Sequence, residues 1–152
     1  MVDMKTTPFW EDIEINSTLP MIEKYPTTRQ LVQYAGVSGD FYEIHYDKDF
    51  AIATGLSGVI IHGALKSAFL VQIITDWMGP DGQLKSFACQ YRGMDVPNDI
   101  LTCKGIITDK YAKDGHYIVE CKLWLENSSG TTTTPGTATV SLPSKNLSLI
   151  HI

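Results

Sequence analysis

Basic clusters, paired cysteines and long apolar runs are all missing from this sequence of 152 residues. Lys and Arg number 12 against 17 Asp and Glu, for a net charge of -5, and nowhere does positive charge gather. That argues against nucleic acid or an anionic membrane surface as a partner. The cysteines, Cys89, Cys103 and Cys121, stand far apart, each inside an apolar strand-like run, with no Cys-x-x-Cys pair and no Cys/His group at zinc spacing. They read as buried free thiols in a reducing compartment rather than as a disulfide framework. The longest apolar stretch is broken by Lys66 and Asp76, and the first residues carry no apolar signal core, so a soluble cytoplasmic protein without a membrane span is expected. With 43% hydrophobic and 19% charged residues and only seven prolines, the chain is not disordered. No repeat or linker divides it, and one domain over 1–143 followed by a loose tail over 144–152 is expected.

What is present begins with two short strand-like patches, at 11–15 and 19–25. A threonine of Pro26-Thr27-Thr28 can then cap a helix through Arg29 to Ala35, ended by Gly36 and Gly39. Asp47-Lys48-Asp49 opens a helical turn over 50–54 that Gly55 stops. From Ala64 to Met78 the residues are helix formers and large apolar groups, including Leu65, Phe69, Ile73 and Trp77, not confined to one stripe. A helix this apolar must be surrounded. After Gly79-Pro80-Asp81-Gly82 the period changes to two: Phe87, Cys89 and Tyr91, then Tyr117, Val119, Cys121, Leu123 and Leu125, then Ala138, Val140 and Leu142 alternate with their neighbours. Turn signals at 97–99, 114–115 and 127–130 predict a β-meander of antiparallel hairpins. One buried helix followed by four long strands predicts an α+β chain, a single hotdog fold in which a curved antiparallel sheet wraps a long central helix. Its exposed edge strand predicts a dimer.

Chemistry concentrates in Gly39-Asp40-Phe41-Tyr42-Glu43-Ile44-His45 and in His62-Gly63. An acid, a base and a helix-starting glycine can activate water, move a proton and polarise a carbonyl. Those are the operations needed to add water to a conjugated double bond or remove it. Ser67 has no Gly-x-Ser-x-Gly elbow around it, so a serine hydrolase finds no support.

The run from Tyr34 to Asp47, with Phe50-Ala51 and Val59-Ile60-Ile61-His62-Gly63, resembles the signature of the MaoC-like, (R)-specific enoyl-CoA hydratases, usually Ser-Gly-Asp-x-Asn-Pro-Ile-His. Tyr25-Pro26, Thr28-Arg29-Gln30, Asp76-Trp77-Met78-Gly79 and Val96-Pro97-Asn98-Asp99 are similar to the β subunits of mycobacterial (3R)-hydroxyacyl-ACP dehydratases. The resemblance implies a hotdog fold and a hydro-lyase of fatty acid metabolism that reversibly hydrates a trans-2-enoyl thioester to the (3R)-hydroxyacyl thioester. It implies Asp40 and His45 as the catalytic pair and the Gly63 amide as the donor to the thioester oxygen. The substrate it implies is an acyl-CoA or an acyl group on a carrier protein, with no cofactor, in a homodimer or a hotdog heterodimer.

Tyr42-Glu43 replaces the usual Asn-Pro, so Tyr42 is expected to line and reshape the acyl site. His62 is expected to tie the loop to the helix, with site lining as its lesser role. No metal is expected, because His45, His62 and Asp47 form no recognised ligand spacing. Two other readings stand beside water addition: a non-catalytic acyl-binding or partner subunit, and a hotdog thioesterase.

Overall fold

The computed structural model describes residues 6–148. Its strands are β1 (Ile22–Lys24), β2 (Gln83–Cys89), β3 (Leu101–Lys113), β4 (His116–Glu126) and β5 (Thr132–Ser141). Its helices are α1 (Thr28–Ser38), α2 (Lys48–Ala53), α3 (Gly63–Met78) and α4 (Lys145–Ser148), with 3-10 turns at Trp10–Asp12 and Glu43–His45. One antiparallel sheet, in the order β1-β3-β4-β5-β2, curls around α3. This is the hotdog arrangement. Leu65, Phe69, Leu70, Ile73 and Ile74 of the helix meet Cys103, Ile107, Val119, Leu123 and Val140 of the sheet in one core. The helix is apolar on most sides because the sheet bends around it.

The predicted strands form where alternation placed them, and β3 fills the interval between the turn signals at 97–99 and 114–115. Asp114 and Gly115 both have positive φ (51° and 77°), the tight turn that joins β3 to β4. The meander holds only for β3-β4-β5. Strand β2 forms no hairpin with β3; it pairs with β5, from Gln83↔Ser141 to Cys89↔Gly136. Tyr91 lies beyond β2, where the chain leaves the sheet and runs back over the start of α3.

Three further expectations change. The patch at 11–15 is a 3-10 turn and not a strand: Glu11 accepts the Ser144 hydroxyl and the Lys145 backbone N–H, which anchors the turn to the end of the chain. The expected tail therefore begins docked, with Ser144 buried, and 149–152 lie outside the described residues. Helix α1 runs through Gly36 to Ser38. Gly39 alone ends it, at φ 78°, a conformation glycine adopts without cost.

Both buried thiols sit on core strands, and burial pushes Cys103 and Cys121 up to about 12, far from the reactive thiolate. Among the described residues no helix is long and apolar enough to cross a membrane.

Candidate active site

The loop after α1 is built by local hydrogen bonds. Thr27 caps the helix start by accepting the Gln30 N–H, and at the other end the Gly39 N–H reaches the Ala35 carbonyl at 2.9 Å. The Ser38 hydroxyl donates to the Tyr34 carbonyl (2.7 Å) and accepts the Asp40 N–H (3.2 Å). Asp40 Oδ1 faces the Tyr42 N–H at 3.4 Å, which leaves Oδ2 to point elsewhere.

It points at His45. Nε2 of that ring and Asp40 Oδ2 are 3.9 Å apart, with the carboxylate half exposed and the imidazole almost fully buried. His45 Nδ1 lies 2.8 Å from the Ile60 carbonyl. A carbonyl can only accept, so Nδ1 carries the proton, and in the neutral ring Nε2 presents a lone pair to Asp40. A gap of 3.9 Å is too long for a hydrogen bond and suits two acceptors bridged by one water.

His62 is completely buried at the N-cap of α3. Its Nε2 donates to the Asp40 main-chain carbonyl at 3.2 Å, and its ring stacks on His45 at 3.8 Å between centroids, 20° from parallel. Tyr34 meets it edge-on at 4.9 Å. Burial, and then the neighbouring His45, hold its pKa below the usual histidine value, against the opposing pull of Asp40. A neutral His62 thus ties the loop to the helix, and with no exposed surface it does not line the site, the lesser role the sequence suggested.

Gly63 is the first residue of α3, so its N–H belongs to the turn that has no acceptor within the helix, at the positive end of the helix dipole. Tyr42 is exposed at 51% and meets both His45 (6.3 Å) and Phe50 (6.0 Å) edge-on. Glu43 is exposed and opens the 3-10 turn. Asp47 caps α2 by accepting the Phe50 N–H at 3.0 Å, a structural role that takes it out of the site. Asp40, His45 and His62 each bring a donor atom within 4.8 Å of the others, so among the described residues these three could hold a metal ion. One nitrogen of each ring is already engaged by a backbone carbonyl.

Sequence reasoning missed the polar cluster beneath the site. Lys66, in the second turn of α3, is 2% exposed, and its Nζ bonds Asp95 Oδ2 (2.8 Å) and the Gly93 carbonyl (2.7 Å). The Thr133 hydroxyl donates to the same carboxylate oxygen at 2.6 Å, and the Asp95 carbonyl accepts the Ile61 N–H at 2.8 Å. The pair therefore fixes the segment that leads into His62 and Gly63. Two charges in apolar contexts, inside α3 and between Met94 and Val96, were the available signal.

Residues 11–124 match the family described as MaoC like domain. The chain belongs to that family. Among MaoC-like relatives, the 3-oxo-4,17-pregnadiene-20-carboxyl-CoA hydratase β subunit of Mycobacterium tuberculosis is 26% identical over 94 residues, 62% of this chain and 73% of that one. The fatty acid synthase subunit β of Saccharomyces cerevisiae is 30% identical over 96 residues, 60% of this chain but only 5% of that much longer one. The R-hydratase PhaJ1 of Pseudomonas aeruginosa, unliganded, superposes with a TM-score of 0.80 at 23% identity, covering 90% of this chain and 86% of that one, a likeness of fold. The MaoC-like match spans α1, the loop with Asp40 and His45, and the whole of α3.

Proposed function

We propose that this MaoC-like chain is a hydro-lyase that adds water across the trans-2 double bond of an enoyl thioester, giving the (3R)-hydroxyacyl thioester, and catalyses the reverse. The observation that carries this reading is the 3.9 Å separation of Asp40 Oδ2 and His45 Nε2 beside the first turn of α3. A water between them donates one O–H to each and turns a lone pair towards the β carbon.

As the C–O bond forms, one water proton passes to the dyad, and the dyad delivers a proton to the α carbon. One water is consumed and the dyad ends with the protons it started with. Charge that builds on the thioester oxygen meets the Gly63 N–H, a type of contact worth about 3 kcal/mol of barrier. The hydrogen bond from His45 Nδ1 to Ile60 holds the ring in the tautomer this requires.

The mycobacterial relative, named as a carboxyl-CoA hydratase β subunit, supports water addition to an acyl thioester, and the Pseudomonas protein is named as an R-hydratase. We place beside this chain a second hotdog subunit, either another copy or a different chain. The carrier is CoA or an acyl carrier protein.

The test is loss of the enoyl-thioester absorbance. Purified protein should consume crotonyl-CoA or a longer trans-2-enoyl-CoA without releasing free CoA thiol. Asp40→Asn should lower the rate by about 10²-fold to 10⁴-fold, the contribution of a positioned acid–base group. Release of free thiol would instead identify a thioesterase, and an unchanged spectrum with every enoyl-CoA would leave this chain a non-catalytic subunit.

A further inference from the structure

Where the chain leaves β2, it lays one aromatic ring against the start of the central helix. The backbone on either side is pinned, Gln90 N–H to the Pro135 carbonyl at 3.0 Å and Arg92 N–H to the Thr133 carbonyl at 2.9 Å, so Tyr91 has little freedom in where it sits. A Cβ built on Gly63 would lie 2.8 Å from two carbons of the Tyr91 ring. That ring occupies the side-chain space of the first residue of α3, next in the chain to the His62 that stacks on His45. Its hydroxyl is 2.8 Å from Ser67 Oγ, a hydrogen bond in which either oxygen can donate, and the ring is thereby tethered one turn up the helix. Tyr91 still keeps 55% of its surface open. A buried packing residue would be covered; this one packs on the helix start and keeps much of its surface exposed.

We infer that Tyr91 is a specificity-determining residue, which limits the room beside the α carbon of the substrate. The inference rests on the hydratase reading above. A thioester oxygen that accepts the Gly63 N–H at about 3 Å brings the carbonyl carbon and the α carbon, one and two bonds away, alongside the ring. A hydrogen on the α carbon fits there. A methyl group must push the ring aside and break its tether to Ser67. Tyr42, by contrast, stands by His45 at the dyad and bears on the other end of the reacting group. Gly63 is thus glycine for two reasons, substrate approach to the amide and the space that Tyr91 takes.

Crotonyl-CoA and its α-methyl homologue tigloyl-CoA test this directly. The wild-type protein should favour crotonyl-CoA in kcat/KM by roughly 10-fold to 200-fold, the usual reach of one methyl group in a packed site. Tyr91→Ala should shrink that ratio at least tenfold, mainly by gaining on tigloyl-CoA. Tyr91→Phe, which keeps the ring and loses the tether, should fall between the two.

A melting experiment reads the contact without turnover: Gly63→Ala should lower Tm more in the wild-type background than in Tyr91→Ala. Equal ratios in wild type and Tyr91→Ala would overturn the inference, as would an equal Tm penalty in both backgrounds. A wild-type protein that hydrates neither these nor any other enoyl-CoA would overturn the hydratase reading first, and this inference with it. The two failures are therefore distinguishable.

Discussion

His62 shows how a single side chain can be held uncharged for the sake of its neighbours. It is buried, stacked on a second imidazole and committed to a backbone carbonyl, so charging it in the folded state is unfavourable. Its folded pKa lies below the unfolded value of about 6.5, and the unfolded chain therefore binds more protons as the pH falls. Stability should drop as pH is lowered through about 6.5, and His62→Asn should flatten that part of the curve, as read by urea unfolding at a series of pH values. A slope unchanged by the substitution would place the titration elsewhere.

The candidate residues divide by what made them legible. Asp40, His45 and Gly63 belong to short motifs whose local spacing is visible along the chain, and the structure brings them to one helix end. Tyr91, Lys66 and Asp95 acquire their roles from partners 24 to 38 residues away, which no local pattern displays.

The central helix could be read because helix formers and large apolar groups continue over sixteen residues up to the Gly79 stop, and the strands because alternation has period two. The order of the strands could not. Pairing of β2 with β5 joins residues about fifty apart, decided by how the sheet closes around α3 rather than by any turn between them.

Inside that closure the Lys66–Asp95 pair is the most exacting contact, since both side chains are essentially without solvent. Asp95→Ala leaves a buried ammonium unpaired and should cost about 3 to 5 kcal/mol in chemical denaturation. The double change Lys66→Met with Asp95→Leu should recover most of that loss, because it removes both charges together. If the double variant is as unstable as the single one, the pair is not the source of the effect. A stable double variant with impaired turnover would show that the pair also positions the segment entering Gly63.

Taken whole, the sheet has two open edges, the three-residue β1 and the seven-residue β2. An unprotected edge of that length invites pairing, so native mass spectrometry should find twice the 16.9 kDa chain mass, or this chain with a second hotdog subunit when one is supplied. A monomer under both conditions would contradict that assembly.

Catalysis by water addition depends on where a bound thioester lies relative to the dyad and the helix start. The decisive measurement is a crystal structure of the Asp40→Asn protein with a trans-2-enoyl-CoA. Water addition requires the thioester oxygen within about 3 Å of the Gly63 nitrogen and the β carbon next to the space between residue 40 and His45. A thioester bound with its double bond remote from His45, or its oxygen turned away from the start of α3, would contradict it.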